Sequence, residues 1–300
     1  MQGRLIKKGK VKEVYEIDGE LEFFFTDQIS VFDKIIPTPV KFKGETLCRT
    51  SAHWFKLTEK LEINTHFKEL TAPNRIRVKK VNVIHDYRKI NNKTKNYLIP
   101  LELIMRYYVA GSLNDRIKGG EIDYKTLGFK NLPKYGDEIP EPMFEVTTKL
   151  ENVDRHLENE EALKISGLTK DEFEELRETI LKIDDRINKE VRKRGLVHVD
   201  GKKEFAFDEK REFMLIDTFG TADEDRFWDL EEYGKGKFIE LSKEFVRQHY
   251  RKTGYHDKLE NARKNKMQEP DIPPLPDDIA DEVSKLYIDI FERLTGERFR

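Results

Sequence analysis

Cysteine is nearly absent from this 300-residue chain, and long apolar runs are missing altogether. The single cysteine, Cys48, excludes a disulfide framework or a cysteine-rich zinc site within one chain, and it favours a reducing compartment. No segment approaches the ~20 apolar residues of a membrane span, and the N-terminus lacks the apolar core of a secretory signal. We therefore expect a soluble, cytoplasmic protein without a membrane partner.

A large excess of charge of either sign is missing too. The chain has 56 Lys and Arg against 58 Asp and Glu, a formal net charge of −2, although 38% of its residues are charged. The two signs are interspersed, whereas a nucleic-acid binder would carry a basic stripe. Nucleic acid is therefore not an expected partner. The oligomeric state is not specified, and a homo-oligomer remains open.

Strand-like patterns dominate the first hundred residues. Three segments alternate or cluster β-branched and aromatic residues: KVKEVYEI, LEFFFTD and NRIRVKKVNVI. Between them, residues 47–61 have the apolar spacing of a helix. A polar connection rich in Asn and Lys, HDYRKINNKTKNY, then interrupts the apolar pattern. We therefore predict a β-rich domain over residues 1–98 and a second domain over residues 99–300.

Helical spacing returns in the second half of the chain. Thr169 and Glu172 have the spacing of a capping box, and the apolar residues that follow repeat at helical intervals until Gly195, a typical helix end. A proline-rich connection, DIPPLP, ends at Asp277, which we predict to be the N-cap of a last amphipathic helix. The first of these helices leads directly into a strand-like segment of unusual charge.

That segment, VHVDGKKEFAF at residues 197–207, carries charges at alternate positions. In an extended strand Asp200, Lys202 and Glu204 would project from one face. The other face would carry apolar residues, namely Val197, Val199, Phe205 and Phe207. Taken alone, the pattern is also typical of a half-exposed antiparallel strand with a solvated ionic face.

A hairpin between residues 197–207 and 213–217 would bring a further carboxylate to this strand. The expected pairing places Asp217 opposite Lys202 and close to Glu204. Paired carboxylates near a lysine suit Mg²⁺ and polyphosphate, because the carboxylates hold the metal while the ammonium offsets phosphate charge. A slip of register would undo this geometry.

Three other segments carry cations suited to phosphate. Lys10 and Lys12 share one face of a strand after a glycine, although lysines on an edge strand also serve to prevent aggregation. Arg106 precedes a Gly-Ser turn that ends in Ser112, which together offer a guanidinium fork, a close backbone approach and a hydroxyl. An arginine on a helix surface before a loop is the alternative. Arg226 follows three acids, and we expect an ion pair to hold it.

Eight segments, taken in order, resemble the successive motifs of one family. They are GKVKEVYE, TDQISVFD, KGETL, RYYVAGSL, TTKLEN, VDGKKEF, LIDTFGTADEDRFWD and SKEFVR. The family is SAICAR synthetase, also called phosphoribosylaminoimidazole-succinocarboxamide synthase, and the similarity runs from about residue 8 to the C-terminus. The resemblance implies an α+β, two-lobed fold related to protein kinases and ATP-grasp enzymes, with an antiparallel N-terminal sheet and C-terminal helices. It makes residues 1–98 the nucleotide-binding domain and residues 99–300 the substrate- and metal-binding domain.

The resemblance also implies a carbon–nitrogen ligase of purine biosynthesis. The family joins L-aspartate to the carboxylate of carboxyaminoimidazole ribonucleotide (CAIR), giving SAICAR, ADP and phosphate through an acyl phosphate. Phosphorylation suits this chemistry because a carboxylate is a poor electrophile until it carries a good leaving group. The implied small-molecule substrates are ATP, CAIR and L-aspartate, and the implied cofactor is Mg²⁺.

Residue roles follow from the same resemblance. The residues expected to bind ATP are Lys10, Lys12, Lys149, Glu204 and Asp217, the last two also holding Mg²⁺. The residues expected to bind CAIR are Arg106, Ser112 and Arg226 at the 5′-phosphate, and Asp200 and Lys202 near the imidazole and carboxylate. The implied catalytic residues are Lys202, Glu204 and Asp217.

Two other functions are compatible with the same groups. One is an ATP-dependent kinase or ligase acting on another small phosphorylated carboxylate. The other is a catalytically silent nucleotide-binding or scaffold protein, which would bind ATP without turnover. A protein kinase proper is disfavoured because the chain has neither an H-R-D catalytic loop nor a D-F-G segment.

Overall fold

The structure, a computed structural model, describes residues 3–151, 153–241 and 243–300. Asn152 of the TTKLEN motif and Ser242 of the SKEFVR motif lie outside the described residues. None of the helices in these three ranges is both long enough and apolar enough to cross a membrane.

Residues 3–78 build a five-stranded antiparallel sheet, a two-stranded ribbon and one helix. In chain order the elements are β1 (Arg4–Lys8), β2 (Lys12–Ile17), β3 (Glu20–Phe25), β4 (Ser30–Val31), β5 (Lys34–Ile35), α1 (Lys43–Glu59), β6 (Phe67–Ala72) and β7 (Arg75–Val78). The sheet order is β1-β2-β3-β7-β6, and β4 pairs with β5. Phe23 and Phe25, two residues apart on β3, are buried in the same core as Trp54 and Phe55 of α1. The alternation of β3 therefore supplies the apolar face that α1 covers.

The predicted N-terminal elements are present with shifted bounds. Strands β2 and β3 confirm the first two predicted strands, and α1 confirms the helix but begins before residue 47. The third strand was predicted too long, because β7 ends at Val78. The ladder on both sides of β7 stops there as well, because Val78 pairs with Leu21 near the start of β3 and with Phe67 at the start of β6.

A second, six-stranded sheet is centred on one long strand. Its strands are β8 (Tyr97–Leu98), β9 (Leu101–Tyr108), β10 (Glu138–Thr148), β11 (Leu196–Phe207), β12 (Phe213–Ile216) and β13 (Asp225–Asp229). Strand β11 is antiparallel to β9, β12, β13 and β8, and β10 extends the sheet beyond β9. The charged segment identified in the sequence is therefore the central strand of this sheet, rather than a half-exposed one.

Helices surround this sheet and complete the C-terminal part of the chain. They are α2 (Gly111–Lys118), α3 (Asn159–Ser166), α4 (Lys170–Arg192), α5 (Leu230–Gly234), α6 (Glu244–Lys252), α7 (Tyr255–Lys264) and α8 (Asp277–Thr295). The capping box of α4 is confirmed, because Thr169 and Glu172 each bond the other's backbone N–H. The N-cap of α8 is Pro276 rather than Asp277, which is the first residue of the helix. Helix α8 packs against α1 and α4. The division at residues 98 and 99 stays a prediction.

Strand β11 does not keep a single alternation along its length. Val197 and Val199 belong to a small apolar cluster of their own, whereas Phe205 and Phe207 belong to the main core. The pairing of β11 with β13 shifts register just before Asp200, and such an irregularity exchanges the faces of the residues beyond it. The prediction that these four apolar residues share one face is therefore wrong.

The hairpin between β11 and β12 also differs in register from the prediction. Phe207 pairs with Phe213 and Glu204 pairs with Ile216, so continuing the ladder brings Asp217 opposite Lys203 rather than Lys202. The cause is the connecting turn over residues 208–212. The side chain of Asp208 stabilises this turn, because it accepts hydrogen bonds of 2.8 Å from the backbone N–H groups of Lys210 and Glu212.

Candidate active site

One group of charged side chains joins the two sheets. Lys149, directly after β10, pairs with Glu204 of β11, and its Nζ lies 3.9 Å from Oδ2 of Asp217. Lys12 of β2 pairs with the other oxygen of Asp217. We call these four residues together with Lys202 the acid–lysine cluster. The first sheet contributes one cation to it, and the second sheet contributes the rest.

Lys202 lies among three carboxylates. Its Nζ is 2.8 Å from Glu102 of β9, 3.4 Å from Glu204 and 3.3 Å from Glu224. Burial lowers the pKa of Lys202, but these carboxylates outweigh burial and hold the pKa far above its ordinary value. The ammonium group therefore stays charged.

Asp217 reaches the cluster despite the shifted register because of its backbone. It follows the last residue of β12 and has a φ of 60°, in the left-handed region that few residues except glycine adopt and that Asp tolerates better than most. Its carbonyl oxygen is 3.3 Å from Nε2 of His66. Burial lowers the pKa of His66 to about 3, so this imidazole is neutral at physiological pH and donates its N–H to that carbonyl. A residue held in such a conformation next to charged groups is typical of a functional site.

The two lysines that contact Asp217 control its ionisation. Burial raises the pKa of the Asp217 carboxyl, but the ammonium groups of Lys12 and Lys149 outweigh it and hold the pKa far below its ordinary value. Burial lowers the pKa of Lys149, while Glu204 and Asp217 more than compensate and raise it. Asp217 and Lys149 are therefore held in the charged forms that suit binding to metal and phosphate.

A second group, the arginine cluster, lies two residues away along β11. Nη1 of Arg226 is 2.8 Å from Oδ2 of Asp200, and Nη1 of Arg106 is 3.4 Å from the same oxygen. Arg106 also donates to the hydroxyl of Ser112 over 3.2 Å. All four predicted CAIR-binding side chains apart from Lys202 therefore lie together, and Arg106 is a buried strand residue, not one on a helix surface.

Buried acids hold the two guanidinium groups in place. Arg106 and Arg116 both pair with Glu145 of β10, and the two arginines outweigh burial and lower the pKa of that carboxyl. Arg226 pairs with Asp200 and, at 3.4 Å from Nε, with Glu240. The expected ion pair of Arg226 is present, but its partners come from elsewhere in the chain, not from the three acids that precede it.

The predicted Gly-Ser turn is the start of helix α2. Gly111 is its first residue and has a φ of 51°. A Cβ at this position would lie 2.5 Å from Nη2 of Arg226, so only glycine lets the guanidinium pack against the helix start. The N-terminus of a helix favours anions, which adds to the suitability of this place for a phosphate.

Lys10 is the one predicted site residue that is found apart from both clusters. Its Nζ pairs with Asp33 over 2.6 Å, and both side chains are exposed. It follows Gly9 in the turn between β1 and β2, two residues before Lys12. Its proposed contact with ATP therefore requires the side chain to leave Asp33.

Sequence reasoning missed the acids that orient the site. Glu102, Glu145, Glu224 and Glu240 carried no signal strong enough to be singled out, although Glu102 is the single acid within an apolar strand. An acid in such a run is a signal in itself, because a buried carboxylate needs a partner.

A buried ion-paired group links α1 to the loop after β12. Nζ of Lys43 is 2.7 Å from Asp223 and Nζ of Lys243 is 3.0 Å from it, while the hydroxyl of Tyr287 donates to the same carboxylate over 2.6 Å. The SKEFVR motif supplies one of these cations through Lys243. Because Asp223 lies between Asp217 and Arg226, its three partners restrain the loop that carries both site residues.

The donor set of the acid–lysine cluster fits a divalent cation that prefers oxygen. Glu204 and Asp217 offer carboxylate oxygens, and both contact the ammonium group of Lys149. Mg²⁺ is usually held by one or two carboxylates with water and phosphate oxygens completing its shell. These two residues are the ones in the cluster that would hold it.

An antiparallel sheet and an α+β unit, with guanidinium groups beside one residue of a shared strand and ammonium and carboxylate groups two to four residues further along it, define a phosphate-handling enzyme. The SAICAR synthetase family model matches residues 5–262. The chain is 53% identical to the phosphoribosylaminoimidazole-succinocarboxamide synthase of Thermoplasma acidophilum, over 99% of this chain and 100% of that one. The chain therefore belongs to the SAICAR synthetase family.

Solved structures agree with this assignment. The SAICAR synthase of Saccharomyces cerevisiae complexed with SAICAR superposes with a TM-score of 0.75 at 27% identity, covering 99% of this chain and 96% of that one. A SAICAR synthetase in complex with ADP gives 0.69 at 27% identity, covering 98% and 99%. The predicted kinase-like, ATP-grasp-related fold is confirmed. The family catalyses the ATP-dependent ligation of aspartate to CAIR in purine biosynthesis, and the chain is a carbon–nitrogen ligase.

Proposed function

We propose that strand β11 aligns the substrates of this ligation, with the nucleotide at the acid–lysine cluster and the 5′-phosphate of CAIR at the arginine cluster. The observation that carries the proposal is the position of three alternate residues of this strand. Asp200 contacts the arginine cluster, whereas Lys202 and Glu204 belong to the acid–lysine cluster. Four residues of strand span roughly 13 Å, so one elongated ribonucleotide can reach from one cluster to the other.

Arg106, Ser112 and Arg226 are the proposed 5′-phosphate site. The two guanidinium groups converge on one oxygen of Asp200, and a phosphate bound between them would replace this contact with charge-assisted bonds. Asp200, released from part of that pairing, would accept a bond from the imidazole end of the ribonucleotide. Glu145 keeps Arg106 oriented while this exchange takes place.

Lys12 and Lys149 are the proposed contacts to the phosphates of ATP, and Glu204 and Asp217 are the proposed ligands of Mg²⁺. When bound there, Mg²⁺ would offset negative charge on the phosphoryl group being transferred. Lys10 keeps its predicted role at the ATP phosphates as a hypothesis, because its exposed ion pair with Asp33 costs little to break.

Lys202 is the proposed contact to the CAIR carboxylate. An oxygen of that carboxylate attacks the γ-phosphorus of ATP, the bond from phosphorus to the β–γ bridging oxygen breaks, and ADP leaves. The amine of L-aspartate then attacks the acyl carbon, phosphate leaves, and the nitrogen loses a proton to give SAICAR. Lys202 orients the attacking oxygen and offsets its charge, so the chain contributes mainly positioning and electrostatic stabilisation.

All of the proposed roles are filled by residues of one chain. A homo-oligomer stays open. We place the reaction in the cytoplasm, because a chain with a single cysteine is typical of a reducing compartment.

The decisive experiment is a substrate-omission assay. Purified protein is incubated with ATP, Mg²⁺, L-aspartate and CAIR, and ADP and SAICAR are quantified with each substrate left out in turn. We expect ADP release to require CAIR and SAICAR to require all three substrates. ADP release that continues without CAIR, or that needs a different phosphorylated carboxylate, would support the alternative kinase or ligase. Binding of ATP without turnover would support the scaffold alternative.

A further inference from the structure

A group of buried charges lies around Lys203, on the face of β11 opposite to Lys202 and Glu204. Lys203 pairs with Asp184 of α4, and its Nζ is 3.3 Å from Oδ2 of Asp225 at the start of β13. Nε2 of His198 is 2.8 Å from the same oxygen. All four side chains are completely inaccessible to solvent. We call these four residues the buried network. None of them has a role in the proposed chemistry.

Such a network requires an explanation beyond stability. Removing charges from water costs several kcal/mol per ion, and apolar residues of similar volume are often as stabilising as a buried ion pair. Nζ of Lys203 contacts both Asp184 and Asp225, and all three side chains are fully buried. Ionisable groups are therefore kept together in the core, where apolar residues of similar volume could pack instead.

Gly201 shows that the active-site strand is shaped around the network. A Cβ on this residue would lie 2.2 Å from Oδ2 of Asp225 and 2.7 Å from Nζ of Lys203. Gly201 stands between Asp200 and Lys202, the two residues that face the CAIR site. The lack of a side chain at this one position therefore lets the carboxylate of Asp225 approach the backbone of β11.

Asp225 also bonds the backbone of the loop that connects Asp217 to Arg226. Its Oδ1 accepts the backbone N–H of Gly220 over 3.0 Å, and the carbonyl of Gly220 accepts the indole N–H of Trp54 over 2.9 Å. This loop begins at Asp217 and ends where Asp225 precedes Arg226. The carboxylate of Asp225 thus ties this loop to β11. The loop connects Asp217 of the acid–lysine cluster to Arg226 of the arginine cluster.

A metal site is the alternative use of the same group. Asp184, His198 and Asp225 each offer a ligand atom, and these atoms lie within 4.8 Å of one another. The ammonium group of Lys203, however, contacts both carboxylates and already supplies a cation there. A metal ion would have to displace a fully buried, charged lysine, so the geometry favours an internal counter-ion over a bound metal.

We propose that Asp225, held by Lys203 and His198, is a positioning residue for the ligation. By bonding the loop at Gly220 and packing against Gly201, it sets the spacing between Asp217 at the nucleotide end and Arg226 at the 5′-phosphate end. The positioning role rests on the proposed function, because it assigns the spacing of groups whose roles are themselves proposed.

The primary test is Asp225→Asn, which keeps the size of the side chain and an oxygen for the N–H of Gly220 but removes the charge that Lys203 and His198 hold. The thermal midpoint of unfolding of each variant is measured first. The kinetic constants are then measured at a temperature well below that midpoint. We expect kcat to fall about tenfold and the KM for CAIR to rise about tenfold, with the KM for ATP nearly unchanged. Asp185→Asn, at an exposed neighbour of Asp184, is the matched control.

Two further variants separate positioning from stability. Gly201→Ala moves the carboxylate of Asp225 without removing any charge, so it should reproduce the kinetic pattern of Asp225→Asn. It also serves as the test if Asp225→Asn does not fold. Lys203→Met should be more damaging than Asp225→Asn, and the double variant Lys203→Met/Asp225→Asn should recover part of the loss because one unpaired carboxylate is gone. A lower thermal midpoint with unchanged kcat and KM in the folded variants would overturn the proposal.

Failure of this inference can be distinguished from failure of the proposed function. Asp217→Asn and Arg226→Lys are assayed beside the network variants. Near-normal kinetics in those two would sink the proposed roles themselves. Strong losses there, with normal kinetics in Asp225→Asn and Gly201→Ala, would sink only the positioning role. One equivalent of a transition metal in the purified protein, absent from Asp184→Asn, would show that the network is a metal site.

Discussion

Replacement of Asp217 by Asn removes a negative charge at the point where two lysines converge. The side chain keeps its size and can keep its position after β12, so the change is mainly electrostatic. Lys12 loses its carboxylate partner, while Lys149 retains Glu204. The variant therefore tests charge at the proposed metal and nucleotide site without removing a whole side chain.

The size of the effect follows from these contacts. Asp217 lies 3.9 Å from Nζ of Lys149, and two unit charges about 4 Å apart interact by about 4 kcal/mol at an effective dielectric constant of ~20. Loss of one preorganised electrostatic group typically costs about 3 kcal/mol, or roughly a hundredfold in rate. We expect kcat to fall by about a hundredfold or more on this scale.

The assay is ADP release with saturating ATP, Mg²⁺, CAIR and L-aspartate. Because the pKa of the Asp217 carboxyl is held far below its ordinary value, the wild-type group stays ionised above about pH 4, and the deficit of the variant should not vary with pH in the neutral range. Asp289→Asn, at an exposed position of α8, is the matched control and should be active. A folded Asp217→Asn variant with near-normal kcat would refute the assignment of this residue to the metal site.

Four further predictions follow from other parts of the structure. Arg106→Ala should raise the KM for CAIR roughly ten- to a hundredfold, the cost of a lost charge-assisted bond, with little change in the KM for ATP. Chelation of divalent metal by EDTA should abolish turnover, and excess Mg²⁺ should restore it. Asp223→Asn should lower the thermal midpoint most above about pH 4, because Lys243 and Lys43 outweigh burial and hold the pKa of Asp223 below its ordinary value. That stabilisation is lost as the pH falls through the folded pKa, so the gap to the wild type should narrow in acid. Cys48, buried and with its pKa raised by burial, should resist alkylation until the chain is unfolded.

Each of these four has an outcome that would contradict it. Equal increases in both KM values for Arg106→Ala would argue against a 5′-phosphate site at this residue. Full activity in EDTA would exclude a metal requirement. A stability gap for Asp223→Asn that widens in acid would reverse the expected sign. Rapid alkylation of native Cys48, under conditions that leave activity intact, would show that the thiol is accessible.

Sequence reasoning did best where neighbours along the chain decide the structure. The capping box of Thr169 and Glu172 depends on residues three apart, and it is present. The alternation of β3 depends on residues two apart. The N-cap of the last helix was placed one residue late, because Pro276 takes the extended conformation before the helix and Asp277 is already within it.

The sequence by itself determined which chemical groups are available: alternating acid and base on one strand, lysines after a glycine, and arginines beside a Gly-Ser pair. Only the tertiary structure decided which of them meet. Lys12 and Asp217 are 205 residues apart, and Lys202 and Glu102 are 100 apart, so their pairing depends on how the sheets align. The irregularity in β11 and the left-handed backbone of Asp217 redirect side chains, and they arise from packing among distant strands, to which local sequence patterns are insensitive. The shifted register of the hairpin arises instead from its connecting turn, which Asp208 closes.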